Sequence, residues 1–315
     1  MGFVPQVVDI NGDGYPDIIS GSYWGDLIKD ENGKLTRYQD ADGNVQSEIF
    51  VFYARPDGSF APRLQMALSH MHSVACPVDW DGDGDFDLVT ATRSRHGVQL
   101  MINSGSKTEP KFEAPTPLIP ALSEEVARAL MVTSAEAADW DGDGLVDIVA
   151  GTEWGQIVWF RNIGNSEEAE FGGEPEFLVG KTTVGMAYED KINFLESHPW
   201  GSRLALHVTD WDGDGVLDVL AGDSRHDDLT KEKLSAEDYA VYQAADARAK
   251  EYRSKRIALY PKDKRREDYT EEDKLAIREG MNKLKEEYGE DIKKANELRK
   301  VETHGYVWVF RGVKK

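Results

Sequence analysis

The amino-acid sequence predicts an all-β array of four repeated units, interrupted once by an α-helical hairpin. Three observations carry this. An Asp- and Gly-rich nonapeptide recurs at residues 9–17, 79–87, 139–147 and 210–218, with starts 70, 60 and 71 residues apart. Each copy is flanked by short runs of strand chemistry. Residues 229–303 leave this pattern and read as two capped helices. A recurring motif marks one supersecondary unit per copy, so the repeat is read before anything else.

The elements follow in order. Short apolar-alternating runs, such as Val7-Val8 and Leu206-His207-Val208, precede the nonapeptides. A β-type run follows each one: Ile18-Ile19-Ser20-Gly21, Leu88-Val89-Thr90-Ala91, Ile148-Val149-Ala150-Gly151 and Val219-Leu220-Ala221-Gly222. A later strand completes each unit: Ile49-Phe50-Val51-Phe52-Tyr53, Val98-Gln99-Leu100-Met101-Ile102, Ile157-Val158-Trp159-Phe160 and Tyr306-Val307-Trp308-Val309-Phe310. Between the second and third strands of the last unit, Ser235-Ala236-Glu237-Asp238 reads as a capping box with Leu234 and Tyr239 as its hydrophobic staple. Thr270-Glu271-Glu272-Asp273 is a second box. Ile277, Met281, Leu284, Tyr288, Ile292 and Ala295 then form a helical stripe, as do Tyr242, Ala245, Ala249 and Tyr252 in the first helix.

Charge separates the two parts. The 315 residues carry a net charge of −21. Residues 229–303 hold 19 Lys and Arg against 18 Asp and Glu, a net of +1, so the rest carries 37 − 19 = 18 basic and 58 − 18 = 40 acidic residues, a net of −22. The domain expectation is therefore 1–228 with 304–315 as the repeat body and 229–303 as an insertion. Such an acidic surface excludes nucleic acid and anionic membrane as partners. No apolar run is long enough to span a membrane. Cys76 is the sole cysteine, so no intrachain disulfide forms. No signal peptide is visible before the first repeat, and the expectation is a removed leader or a piece of a longer chain.

The nonapeptides carry the chemistry. Side chains at positions 1, 3, 5 and 9 supply hard oxygen donors, a backbone carbonyl at position 7 supplies another, and Gly at positions 4 and 6 lets the chain wrap around an ion. Hard carboxylates in a flexible loop select Ca²⁺. The plainer alternative, an Asp-Gly hairpin turn, leaves several close carboxylates uncompensated in every copy. An EF-hand needs a bidentate Glu at position 12. Ser20, Thr90, Ala150 and Ala221 stand there, and the flanks are strands rather than helices.

The unit strand, D-x-D-G-D-G-x-x-D, strand resembles the FG-GAP/VCBS repeats of integrin α-subunit propellers and of secreted bacterial proteins. Gly58-Ser59-Phe60-Ala61-Pro62 and Phe112-Glu113-Ala114-Pro115 are similar to the Phe…Pro segment that closes each repeat. The resemblance covers about residues 5–228 and 304–312. It implies a β-propeller-like array of four calcium-loop blades, a closed four-bladed ring or part of a larger one, since such propellers commonly have about seven blades. It also implies the metal ligands Asp9, Asn11, Asp13 and Asp17; Asp79, Asp81, Asp83 and Asp87; Asp139, Asp141, Asp143 and Asp147; and Asp210, Asp212, Asp214 and Asp218. The position-7 carbonyls belong to Tyr15, Asp85, Leu145 and Val216. The cofactor expectation is calcium, with one ion per loop.

In a propeller meander, the face opposite the metal loops carries residues 22–47, 92–97, 152–155 and 223–304. Tyr23-Trp24-Gly25 and Glu153-Trp154-Gly155 alternate there with Ser94-Arg95-His96 and Ser224-Arg225-His226. Trp24 to Trp154 and His96 to His226 are both 130 residues, a duplicated two-blade unit. The expected ligand-binding set is Trp24, Arg95, His96, Trp154, Arg225 and His226, with Trp as a stacking surface and Arg as a donor fork. The alternative is that each Trp packs against the next blade and each Arg or His pairs locally, for instance with Asp227. His70, His72 and His198 lie near the same face. No nucleophile elbow, phosphate loop or zinc signature appears.

The leading functional expectation is a calcium-stabilised extracellular, cell-surface or periplasmic binding or adhesion module for a carbohydrate, acidic polymer or protein, with self-assembly as a route to completing the propeller. A propeller-type polysaccharide lyase using Arg95, His96, Arg225 and His226 is one alternative. A structural spacer is another. The helical arm is either a solvated decoration or a lid.

Overall fold

The computed structural model describes residues 5–22, 28–29, 32–33, 35–37, 39, 45–70, 74–93, 97–165, 168–261, 264 and 268–312. The first blade contains β1 (Pro5–Val8), β2 (Asp17–Gly21), the small hairpin β3 (Ile28–Lys29) and β4 (Leu35–Thr36), then β5 (Gln46–Phe52) and β6 (Leu64–His70). The second contains β7 (Val74–Val78), β8 (Asp87–Ala91), β9 (Val98–Met101) and β10 (Thr116–Pro117). After helix α1 (Glu124–Leu130) come β11 (Val132–Ala138), β12 (Asp147–Thr152), β13 (Ile157–Phe160) and β14 (Glu176–Val179). Helix α2 (Tyr188–Glu196) leads to β15 (Ser202–Thr209) and β16 (Asp218–Asp228). The insertion holds α3 (Thr230–Lys233), α4 (Ala236–Ala258) and α5 (Glu271–Leu298), and the chain returns through β17 (Val301–His304) and β18 (Val307–Phe310).

The first three blades are antiparallel meanders, ordered β1-β2-β5-β6, β7-β8-β9-β10 and β11-β12-β13-β14. In the fourth, β15 and β16 pair, and both β17 and β18 pair with β16. Every nonapeptide joins the first strand of a blade to the second, so all four loops occupy the same topological place. The all-β repeat array and its helical insertion stand as the sequence predicts.

The apolar core lies in the seams between blades. Ile19, Ile49 and Val51 of blade one meet Ala75, Leu88 and Met101 of blade two. Val89 and Val98 meet Val132, Ala135, Ile148, Ala150, Val158 and Phe160 of blade three. Val149, Ile157 and Trp159 meet Leu204, Leu206, Val219 and Ala221 of blade four. The third seam also carries polar stitching: Thr133 and Ser134 hydroxyls donate to the Leu204 carbonyl at 2.7 and 2.9 Å, and the Ser134 oxygen accepts the Leu206 N–H at 3.0 Å. Gly151 belongs there because a Cβ would meet Leu204 O at 2.7 Å.

The chain divides into two compact units, residues 1–225 with 305–315, and residues 226–304. In the second, α4 and α5 are antiparallel. Tyr252 and Tyr288 rings lie 6.2 Å apart, Arg248 Nε donates to Asp291 at 3.2 Å, and Tyr242, Ala245 and Ala249 pack with Ala295. The Ala residues let the helices approach closely. Ser235 and Thr270 cap the two helices, Thr270 reciprocally with Asp273. Two helices in the repeat body, α1 and α2, have no counterpart in the sequence expectation, although Ser123 caps α1 by accepting the Val126 N–H at 3.2 Å.

Candidate metal loops and the opposite face

Each loop is shaped by its own carboxylates before any ion is considered. Gly142 and Gly144 take φ of 75° and 91°, and the paired glycines of the other loops do the same. This turns backbone N–H groups inward. The position-1 carboxylate accepts them: Asp9 from Asp13 and Gly14 at 3.0 and 2.9 Å, Asp210 from Gly213, Asp214 and Gly215 at 2.8, 3.1 and 2.9 Å, and Asp139 from Gly144 at 2.9 Å. Position 5 folds the next turn, since Asp13, Asp83, Asp143 and Asp214 accept the N–H two residues on at 2.9–3.0 Å.

Position 9 does something the sequence reading did not assign. Its carboxylate is buried in all four loops, and its two oxygens accept from backbone on both sides. Asp17 takes Ile10 N–H at 3.2 Å and Ala54 N–H at 2.8 Å. Asp87 takes Trp80 and Asn103 N–H at 2.9 and 2.7 Å, and Asp147 takes Trp140 and Asn162 N–H at 3.1 and 2.7 Å. Asp218 takes Trp211 and Gly312 N–H at 3.0 and 2.8 Å. The ninth Asp thus clamps the start of the nonapeptide loop to the chain leaving the third strand. Burial pushes the Asp17, Asp87 and Asp147 carboxyls above the usual range, against the pull of these N–H donors.

Carboxylate oxygens also converge, those of the position-9 residue included in loops three and four. In each of three loops, oxygens of three residues lie within 4.8 Å of one another: Asp79, Asp81 and Asp83; Asp139, Asp141 and Asp147; Asp210, Asp212 and Asp218. These hard donors on one short loop could hold a metal ion. Loop one offers Asn11 at position 3 in place of a third close carboxylate. Asp85 behaves differently from the exposed Asp79, Asp81 and Asp83 of loop two. It is buried and its Oδ1 accepts from Asn103 Nδ2 at 2.8 Å, so its carboxylate serves the neighbouring turn. Arg161 brings a cation of the chain's own to loop three, 2.7 Å from Asp141 and 3.2 Å from Asp143. Arg311 does so for loop four, 3.1 Å from Asp212.

Asn103 and Asn162 are site residues that sequence reasoning passed over. Asn103 Oδ1 accepts the Gly105 and Lys111 N–H groups at 3.0 and 2.7 Å, and Asn162 Oδ1 accepts those of Gly164 and Glu170 at 3.0 and 3.1 Å. The signal was the N-x-G after the third strand of two blades.

Residues 79–150 match the family model described as FG-GAP-like repeat, and residues 1–43 match that of the FG-GAP repeat. These two stretches carry FG-GAP repeats. No curated protein matches the chain. FG-GAP repeats imply the propeller-like arrangement of blades that the four sheets display.

Of the residues expected on the face opposite the nonapeptide loops, Trp24, Arg95, His96 and His72 lie outside the described residues, as does the side chain of His70. Trp154 is 6% exposed, with the Lys191 ammonium 5.3 Å from its ring centre, so its ring is packed and presents no open stacking surface. The Arg225 guanidinium donates to the His198 and Pro199 carbonyls at 3.2 and 2.6 Å. The His198 ring lies 4.8 Å from that of Trp200, tilted by 32°, and its Nδ1 bonds Phe194 O at 2.8 Å. His226 Nδ1 meets Thr303 Oγ1 at 2.9 Å. Ser224, Arg225 and His226 were expected in a loop. They are strand residues, because β16 runs on to Asp228 with β17 as its partner. Local pairing therefore occupies Trp154, Arg225 and His226 in this conformation. Among the described residues, no helix is long and apolar enough to cross a membrane.

Proposed function

We propose that the chain is a calcium-stabilised propeller module that serves outside the cytoplasm as a binding or adhesion scaffold. The observation that supports it is the repeated loop: the position-9 carboxylate clamps the backbone, and in three of the four loops carboxylate oxygens converge on one point, with the clamping Asp147 and Asp218 among them. Asp9, Asn11, Asp13, Asp17 and their counterparts would hold the ion, which would neutralise the crowded acids and rigidify the hairpin between the first two strands of each blade. The converging oxygens are hard donors of the kind that suit such a cation. Extracellular calcium concentrations suit loops of this kind. A rigid scaffold of this sort carries recognition on its connecting segments. The buried Trp154 and engaged Arg225 favour a protein or acidic-polymer partner over a sugar stacked on tryptophan.

Thermal melts in EDTA and in millimolar Ca²⁺ test the reading. Each independent site should add about 2.7 kcal/mol at a hundredfold excess of calcium over its dissociation constant. Coincident melts would remove calcium from the account.

A further inference from the structure

We propose that Asn11 is a self-modifying position: in the metal-free protein its side-chain amide is lost by attack of the Gly12 nitrogen, and loop one acquires the third-position aspartate that the other three loops already carry. Loops two, three and four place Asp81, Asp141 and Asp212 there, each before a glycine. Loop one places Asn11 before Gly12. A glycine nitrogen is the least hindered for such an attack, because no side chain bars its approach.

The loop already holds groups that favour the step. Asn11 Oδ1 accepts the Asp13 N–H at 3.0 Å, a donor aimed at the oxygen on which negative charge grows as the Gly12 nitrogen adds to Cγ. Asn11 Nδ2, the leaving nitrogen, donates to Asp13 Oδ2 at 3.2 Å, so the positive charge it gains on protonation meets a carboxylate. A third group comes from the next blade. The Lys107 side chain lies against Gly12, and a Cβ built on that glycine would stand 2.8 Å from its Nζ. An ammonium this close favours the deprotonated amide nitrogen that attacks. Lys107 is placed by the turn of residues 106–109, whose ends exchange N–H···O bonds at 3.2 and 3.1 Å. Gly12 and Asp13 are exposed, so water reaches the site.

The step consumes water and releases ammonia, and nothing is oxidised or reduced. The bond from Gly12 N to Cγ forms and the Cγ–Nδ2 bond breaks. The proton on Gly12 N passes to water, Nδ2 takes one from water, and ammonia leaves. Water then opens the cyclic imide. Opening at Cγ restores the backbone with a carboxylate at residue 11. Opening at the main-chain carbonyl gives the isoaspartyl form, whose backbone is longer by a methylene. The aspartyl product fits the loop as it stands. Asp81 and Asp141 accept the N–H groups of Asp83 and Asp143, both at 3.3 Å, as Asn11 accepts that of Asp13.

The sequence carries its own comparator. Asn32-Gly33 is the other Asn-Gly pair, both residues are exposed, and no described atom lies within 4 Å of a Cβ built at Gly33. The full chain is aged in EDTA, and peptides holding the two pairs are followed by mass spectrometry, where conversion of amide to carboxylate raises the mass by about one unit. Residue 11 should convert at least as fast as residue 32. Lys107→Gln should slow residue 11 roughly two- to fivefold, the scale of one exposed charge, and leave residue 32 unchanged. A calcium arm rests on the metal role proposed for loop one. At a hundredfold excess over the dissociation constant, about one loop in a hundred is free, so conversion should slow about a hundredfold. Asn11→Asp, which carries the product side chain from the start, should hold calcium at loop one about tenfold more tightly. Conversion in EDTA that calcium does not slow would remove the ion from loop one and leave the modification standing. Slower conversion at residue 11 than at residue 32, or an unchanged rate in Lys107→Gln, overturns the proposal.

Discussion

Asp147→Asn separates two roles of the ninth loop residue that calcium binding alone would merge. Asp147 is wholly buried and accepts Trp140 N–H at 3.1 Å and Asn162 N–H at 2.7 Å, one on each oxygen. An amide has one acceptor oxygen, so either rotamer sets an NH₂ against a backbone N–H. A bond to a charged acceptor is worth roughly 1.5–3 kcal/mol net, and a buried donor left unsatisfied costs roughly 1–3 kcal/mol, so the metal-free protein should lose about 3–5 kcal/mol. That is a large part of the roughly 5–15 kcal/mol typical of a whole domain. The control is Asp143→Asn. Its Oδ1 accepts only the Leu145 N–H, at 3.0 Å, among the loop's backbone bonds, and an amide oxygen can keep that bond. Asp143→Asn should leave stability in EDTA near that of wild type and reduce the gain on adding calcium. Denaturant unfolding of both variants in EDTA and in calcium is the assay. If Asp147→Asn matches wild type in EDTA and differs only in calcium, the ninth residue is a ligand and no clamp.

Three further outcomes are expected. Arg161→Gln removes the resident cation beside Asp141 and Asp143, so calcium affinity at loop three should rise about two- to fivefold, the scale of an exposed ion pair; a calorimetric titration identical to wild type would show that the arginine does not compete. His207, held above the ordinary imidazole range by its bond to Glu136, contributes stability that is full below the unfolded value near 6.5 and is lost as pH rises through the folded one. The stability difference between wild type and His207→Ala should therefore shrink from pH 5.5 toward pH 8, by a fraction of a kcal/mol at this half-exposed pair, and a pH-independent difference would contradict it. Replacing residues 232–301 with a short Gly-Ser linker should leave the calcium-dependent melt nearly intact, since those helices carry their own caps and their own apolar cluster around Tyr242, Ala245, Ala249 and Ala295; failure to recover folded protein would make the arm part of the core.

What was legible from the sequence was local. The nonapeptide fixes its own geometry through side chains that reach two to five residues along the chain, so Asp9, Asp13, Asp139 and Asp210 are found where the pattern puts them. Helix caps at Ser235 and Thr270 are equally local. Groups whose partners are distant in the chain were misjudged or missed. Asp85 is read in the sequence for its backbone carbonyl alone, and the bond from Asn103 to its carboxylate goes unseen. Trp154 reads as a platform, yet it is buried. Ser224-Arg225-His226 reads as a loop, yet β17 arrives from beyond the helical arm to make it strand. Asp17, Asp87, Asp147 and Asp218 read only as ligands, because the second N–H that each accepts belongs to a residue after the third strand, 37, 16, 15 and 94 positions away. That last difference alters the physical account of the loop. The hairpin already has its shape from the clamp and the paired glycines, so a cation entering it has little ordering entropy to overcome. What it supplies is neutralisation of the converging acids: Asp79, Asp81 and Asp83 in loop two, Asp139, Asp141 and Asp147 in loop three, and Asp210, Asp212 and Asp218 in loop four. The resident Arg161 and Arg311, rather than the number of acids in the motif, should therefore set how loops three and four rank against loop two.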